Sequence, residues 1–449
     1  MKAATGSLLS SALAITALAL IGTPMAGELA AQQSSAVRLA STDGVAAATP
    51  GAPTFYADVL PILQENCQIC HQEAGRNMGG NVAPWPLVTY EDARIRAPRM
   101  ASAVREGRMP PWSASDQHKG TFSNERILED EEKATIIAWA EGGAPAGNPA
   151  DAPDAPEFLT RAAMTGGWSL GQPDLILSFP EPYCLDDDVT DIYVNIPVQI
   201  TDEMLPADRW IESMEYRNGP AVHHIISSVG GLVPGAEPRI NKVGFGRVMR
   251  SGPREVMFNM HFNKPKGPGT ALCTNIQAGI RFKPRGEVIR FVTGGDQLRI
   301  RGIDIPAGNS SYSASKEYTF EEDVELLSFM PHMHLRGKAA LYEIFYPDGK
   351  HEVLLHVPEY DFAWQHRYHF KSPPMIPAGS MLRLTLWWDN SENNVANPDP
   401  TVDVGWGGPT YMEMSQGYMS FRRLEETHYV VGEPIPEALG RSRRANESN

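Results

Sequence analysis

Cysteine is scarce in this chain, four in 449 residues. That excludes a disulfide-dense scaffold. Long apolar runs are lacking too. After Leu8–Ile21, no segment reaches the roughly 18 unbroken apolar residues of a membrane-spanning helix. Positive charge is thin: 39 Lys and Arg against 54 Asp and Glu give a net charge of −15, with no basic cluster. This argues against nucleic acid and anionic membranes as partners. No acid/base or nucleophile constellation stands out, which leaves hydrolytic chemistry without a candidate.

Two of the four cysteines stand in Cys67-Gln-Ile-Cys-His71, a C-x-x-C-H string. With 4 Cys and 12 His in 449 residues, chance yields it on the order of once in a thousand. Each thiol can add to a haem vinyl group, and the adjacent histidine can ligate the iron. A redox C-x-x-C would want a βαβ context and a zinc site a second ligand pair, and neither is present. One covalent haem c on Cys67, Cys70 and His71 is the expectation.

Met1-Lys2, the apolar run Leu8–Ile21 and the small residues of Thr23-Pro-Met-Ala26 read as an export leader over 1–26. Export fits haem attachment, which takes place outside the bacterial cytoplasm, so a periplasmic or secreted protein is expected. It also permits a bond between Cys184 and Cys273. Residues 27–53 are rich in Ala, Ser, Thr and Gln and read as a disordered linker.

The remaining length suits about three domains. From 54 to 147 the pattern is helical. Phe55, Val59, Ile62 and Leu63 precede the haem motif at helix spacing. Glu91–Glu106 is a second candidate, with Ile95, Met100 and Val104 on its apolar side. Glu129–Ala140 is a third, acidic at its start and closed by Gly142-Gly143. A Pro/Ala/Asp run, Ala144 to Pro156, leads through a linker taken as 148–165. Beyond it come short alternating runs, among them Asp191-Ile-Tyr-Val-Asn-Ile, Val256-Met-Phe-Asn-Met-His-Phe262 and Leu382-Arg-Leu-Thr-Leu-Trp-Trp388. This is all-β territory. Two sandwiches, 166–300 and 301–430, joined near Gly294–Ser315, followed by a tail over 431–449, are the expected division.

A cytochrome needs a ligand on the second face of its iron. Met109, in Gly107-Arg-Met-Pro-Pro-Trp112, sits in a loop that proline stiffens, and thioether ligation raises the haem potential. Met100 competes from inside a helix and Met78 from a glycine-rich loop. Residues 54–147 resemble class I-type cytochrome c domains, whose distal methionine occupies such a loop.

Histidines cluster in the β region: His223-His224, His332-x-His334 and His366-x-x-His369. Composition alone gives any one His-His or His-x-His about 0.3 times, so spacing by itself is weak. A hydrogen-bonded histidine at a strand end accounts for any single one. Yet residues two apart in a strand share a face, so His332 and His334 can converge on one ion. His223 and His224 can do so only where the strand bulges or ends. His261 ends an alternating strand. Three imidazoles suit copper or zinc better than magnesium or calcium.

Val222-His-His-Ile225, Met260-His-Phe262, Pro331-His-Met-His-Leu-Arg-Gly-Lys338 and Tyr411-Met-Glu-Met414 occur in that order. Residues 170–425 thereby resemble the ascorbate-dependent type II copper monooxygenases, the family of peptidylglycine α-hydroxylating and dopamine β-monooxygenases. The resemblance implies two jelly-roll-like domains with one copper each. It implies an electron-transfer copper on His223, His224 and His261, and an oxygen-activating copper on His332, His334 and Met414. Met412 and Met419 are alternatives to Met414. Asp389-Asn390-Ser391 fits the pattern as well.

Two departures matter. Met330 stands where the peptide-hydroxylating members carry arginine, which argues against a peptide substrate. The fused cytochrome is foreign to the animal enzymes. The expected function is therefore hydroxylation of a C–H bond in a small organic substrate with O2. The reductant would be ascorbate-like or a periplasmic redox protein, and haem would feed the three-histidine copper first. The alternative is a haem/copper electron-transfer or copper-handling protein without oxygenase activity. His118, His351, His356, His366, His369 and His428 fit no motif and read as surface or structural. Phe362-Ala-Trp-Gln365 and Trp387-Trp388 read as core packing before pocket lining.

Overall fold

The computed structural model describes residues 51–72, 83, 85–157, 167–217, 219, 221–233, 236–437 and 439. The expected leader, almost all of the segment after it, Met78, residues 158–165 and the end of the tail lie outside the described residues. Among the described residues, no helix is long and apolar enough to cross a membrane.

Among the described residues, three α-helices precede residue 142: α1 (Leu60–Asn66), α2 (Tyr90–Arg105) and α3 (Asp130–Glu141). Their starts are fixed by side chains. The Thr89 hydroxyl accepts the Asp92 N–H while the Asp92 carboxylate accepts the Thr89 N–H, a reciprocal cap. Glu129 and Glu132 do the same at α3, whose first turn carries Asp130, Glu131 and Glu132 against the positive helix end. Gly143, at φ 87°, lets the chain turn away after it. Phe55, Val59, Leu63, Ala97, Met100, Val104, Ile136 and Trp139 form a common core. Ile95, expected on the buried side of α2, is 64% exposed. It lies five positions before Met100, well off the stripe Ala93, Ala97, Met100, Ala101 and Val104 that meets α3.

The rest is mainly β, in several sheets. A ten-stranded sheet has as its path Leu175–Ser178, Gln277–Phe282, Arg209–Arg217, Phe245–Met249, Phe291–Arg299, Gln416–Arg423, Val324–His332 and Tyr368–His369. Phe291–Arg299 connects its two ends. It pairs in parallel with Phe245 and Gly246 at its start, then antiparallel with Gln416–Arg423 from Thr293 to Arg299. A four-stranded sheet, Asp191–Ile200, Arg254–Asn263, Val222–Ile226 and Gly231–Leu232, faces the first end. Another, Tyr312–Thr319, Met381–Trp388, Gly337–Phe345 and His351–Val357, faces the second. Alternation explains the layering: Leu382, Leu384, Leu386 and Trp388 are all buried while the residues between them are half-buried. Two apolar cores result, one within 175–282 and one running from Leu298 to Met419.

Cys184 and Cys273 face each other across the strand pair Tyr183–Leu185 and Leu272–Thr274. They are bonded, as an exported chain permits, with Cα atoms 4.0 Å apart. A contact the sequence did not foretell joins the helical segment to the second β core. Residues 112–124 lie along that core. Phe122 is buried in it and Trp112 packs on it. The Ser115 N–H donates to the His356 carbonyl, the Ser123 N–H to the His369 carbonyl, and the His356 N–H to Nε2 of His118.

Candidate metal and haem sites

Cys67, Cys70 and His71 follow α1 in a tight turn, in which the Cys70 and His71 N–H groups both donate to the Cys67 carbonyl. The two thiols are not bonded to each other. Burial, with Cys70 and Glu132 beside it, pushes the Cys67 thiol up to about 12. A disulfide oxidoreductase needs the opposite, a thiol poised to ionise. Nδ1 of His71 donates to the Trp85 carbonyl at 2.9 Å. With its proton so placed, the ring keeps the Nε2 lone pair for a ligand. Burial lowers its pKa, so it stays neutral. Met109 is half-buried outside the helical core, in the loop leaving α2, whereas Met100 is a core residue. Two thiols not bonded to each other, the oriented imidazole and a methionine outside the core suit a c-type haem.

The second cluster sits on the four-stranded sheet at the first end. The pairing of Val222–Ile226 with Arg254–Asn263 slips between Val222 and His224. Ala221, at φ 71°, turns the chain just before. This irregularity puts two consecutive histidines on one side, as the sequence required. His223, His224 and His261 offer nitrogens that all lie within 4.8 Å of one another. Nδ1 of His223 is 3.2 Å from Nδ1 of His261 and 3.5 Å from Nδ1 of His224. Nε2 of His261 donates to the Asp191 carboxylate at 3.0 Å, leaving its Nδ1 as a lone pair. Burial drives His223 down to about 3, and His224 well below its ordinary value, so both are neutral. Nδ1 of His223 can donate to the free Nδ1 of His261 or, with its proton on Nε2, share a cation with it. Tyr193 stacks on His261 at 4.2 Å. The Thr410 hydroxyl also donates to Asp191.

The third cluster ends the strand Val324–His332. Nδ1 of His332 donates to Oε1 of Gln365 at 2.6 Å, and its Nε2 stands 3.3 Å from the Met414 sulfur. Nδ1 of His334 donates to the Met412 carbonyl at 3.1 Å. Its Nε2 is buried with no hydrogen-bond partner. Both rings thus hold a lone pair on Nε2. An orphaned buried nitrogen, a second imidazole and a thioether form a soft donor set of the kind that holds copper. Burial lowers His332 and, with the neighbouring His332 charge, takes His334 down to about 3. Glu413 lies behind the site. It accepts the His334 and Arg336 N–H groups at 2.8 and 2.7 Å and the Trp388 indole at 3.2 Å. Burial pushes it up to about 8 against the pull of those donors. Asn390 accepts Nε of Arg336, which ties Asp389-Asn390-Ser391 to the same scaffold.

One ring joins the two clusters. Phe362 stacks on His223 at 4.5 Å and meets His334 edge-on at 5.7 Å. It is half-buried and outside the apolar cores, which corrects the expectation of core packing. Its loop is drawn in by Gln365, bonded to His332. Trp388 packs in the core, as expected. The structure therefore brings together His223, His224 and His261, and separately His332, His334 and Met414. Met412 contributes its carbonyl to that second set. Met419 lies in the core. Among the motif-free histidines, His118 and His366 are buried and His428 is exposed. The role of Asp191 escaped sequence reasoning, and Phe362 and Gln365 were read there as core packing before pocket lining. The only available signal was that Asp191 and Tyr193 share a strand face two residues apart.

No family model and no curated protein matches this chain. Solved structures overlap it weakly. The serine protease–chaperone complex of Aeromonas sobria aligns at TM-score 0.18 and 14% identity, over 31% of this chain and 27% of that one. The VP2 subviral particle of infectious bursal disease virus gives 0.17 and 9%, over 56% and 73%. Broad bean stain virus gives 0.22 and 6%, over 58% and 91%. Likeness at this level carries no argument about fold or chemistry.

Proposed function

We propose that this chain is a copper-dependent monooxygenase that hydroxylates a C–H bond of a small organic substrate with O2, drawing electrons through a covalently attached haem c. Residues 54–147 serve as its cytochrome domain, and two jelly-roll-like sandwiches each carry one copper. The observation that carries the reading is the His332/His334/Met414 set, with one Nε2 orphaned in the interior and the other beside a thioether sulfur. Bound copper would supply one-electron redox chemistry at each cluster and reaction with O2 at the softer one.

The chain's own residues prepare for this. Asp191, Gln365 and the Met412 carbonyl each hold one imidazole proton, which fixes the nitrogen offered to the metal. Burial lowers the pKa of His223, His224, His332 and His334 and favours their neutral, metal-binding form. Glu413 pins the backbone at His334 and Arg336, so the second cluster is rigid before any ligand arrives. Met330 occupies the place of the peptide-gripping arginine, which favours a substrate other than a peptide. The disulfide and the haem motif favour an exported protein, reduced by an ascorbate-like donor or a periplasmic redox partner.

The test is metal analysis of the haem-loaded protein, followed by a screen for substrate-dependent O2 uptake. Two coppers per chain with uptake support the reading. Two coppers without uptake for any substrate leave the electron-transfer alternative. No bound copper sinks both.

A further inference from the structure

The helical segment meets the β region at a particular place. Three residues after Met109, across two prolines, Trp112 lies against the second β core. Its ring is 5.6 Å from His366 and 5.0 Å from Tyr368. His366 is buried, and Trp364 stacks parallel to it at 6.1 Å. The preceding residue is Gln365, whose side-chain oxygen accepts Nδ1 of His332 at 2.6 Å. A path thus runs from the half-buried Met109 loop through the half-buried Trp112 ring, the buried His366 ring and one short hydrogen bond to the His332/His334/Met414 cluster. Nothing comparable reaches the other cluster. Among the described residues, His223, His224 and His261 make no ring contact or hydrogen bond with 54–147. Their links towards the second cluster run through Phe362, which touches His334, and through Asp191, which accepts the Thr410 hydroxyl.

We propose that Trp112, His366 and Gln365 form the electron entry from the haem-bearing segment, and that it opens onto the His332/His334/Met414 copper rather than the three-histidine copper. The proposal rests on the haem and copper reading above and reverses the order the sequence suggested. Each event moves one electron: haem Fe(II) becomes Fe(III) and copper(II) at His332 and His334 becomes copper(I). No proton need move. With copper at both clusters, the three-histidine site would be filled second, and Phe362, which touches His223 and His334, lies between them. Electronic coupling falls steeply with each gap between groups, so the contact that closes the shortest path decides the order. Trp112 and His366 are positioning residues, because neither touches substrate or a metal.

The test uses the full chain loaded with haem and copper(II) under anaerobic conditions. A flash reduces the haem, and its reoxidation is followed by absorbance. We expect Trp112→Leu and His366→Leu each to slow that reoxidation at least about tenfold at unchanged copper content and haem potential. Trp112→Phe, which keeps a ring in place, should restore it. His334→Ala should remove the fast phase, and His261→Ala should leave its rate unchanged. The two Leu variants lie in different segments, so misfolding of one leaves the other as a test. A fast phase lost in His261→Ala and untouched in both Leu variants overturns the route and leaves the copper reading standing. One copper or none per wild-type chain overturns the reading and the route together.

Discussion

At the scale of the residue, the chemistry rests on protons placed by second partners. His334 is the sharpest case, with Nδ1 on a carbonyl and Nε2 facing nothing. Glu413 makes that arrangement possible. Glu413→Ala would leave buried N–H groups of His334, Arg336 and Trp388 without an acceptor, at about 1–3 kcal/mol each. We expect a lower urea midpoint of unfolding and a loss of copper from this cluster; an unchanged midpoint would show that water takes over as acceptor. A second expectation concerns acid. An ordinary imidazole protonates near pH 6.5 and then competes with metal. His334, at about 3, stays neutral well below that, and burial lowers His332 in the same direction. Copper affinity at this pair should stay flat from about pH 7 to about pH 5 and fall only towards about pH 3. Chelator competition at several pH values measures it. A loss of about tenfold per histidine for each pH unit below about 6.5 would mark ordinary, exposed imidazoles. Met414→His should retain metal and lose most turnover, since a third imidazole favours copper(II). Retained turnover would detach the thioether from the chemistry.

At the scale of the element, the segment 112–124 does the joining. Phe122, 3% exposed, belongs by sequence to the helical segment and by packing to the second β core. Phe122→Ala is expected to cost about 3–5 kcal/mol in the stability of that core. Denaturant unfolding followed by tryptophan fluorescence would show it. His118 adds a pH response. Burial chiefly, and His356 beside it, lower its pKa in the folded protein. The unfolded chain takes the proton near pH 6.5 and the folded one refuses it. The stabilisation is therefore complete above that pH and is lost as pH falls through the lower folded value. Protonation also ends the bond from the His356 N–H. Hydrogen-exchange protection of that amide should decline as pH falls, and constant protection would count against the role.

The same scale shows what a sequence can carry. Cys67–His71, His223-His224 and His332-x-His334 are legible because their chemistry sits in neighbouring residues. The bulge at His223 was foreseeable because a regular strand cannot turn both rings one way. Gln365 lies 33 residues from His332, and Asp191 lies 70 from His261. Such partners are delivered by strand pairing and loop closure, which leave no local pattern. Ile95 was misplaced for a related reason. Several stripes fit α2, and only the position of α3 selects among them.

At the scale of the whole molecule, the parts are bound more closely than their sequence textures suggest. The ten-stranded sheet passes through both β cores, and Val288-Ile289 pairs with Tyr429-Val430 from the far end of the chain. Cooperative melting of the two cores is therefore expected, as a single calorimetric transition. Two resolved transitions would show that the shared strand transmits little. Phe291–Arg299 also decides how far the molecule can be divided. A fragment ending at residue 300 would keep Thr293 to Arg299 as a bare sheet edge, and the remaining piece would leave Gln416–Arg423 open on one side. Bare edges of that length recruit other strands. Each histidine cluster sits on a piece that looks portable. Neither piece could be borrowed, swapped or inherited alone without exchanging its missing neighbour for aggregation.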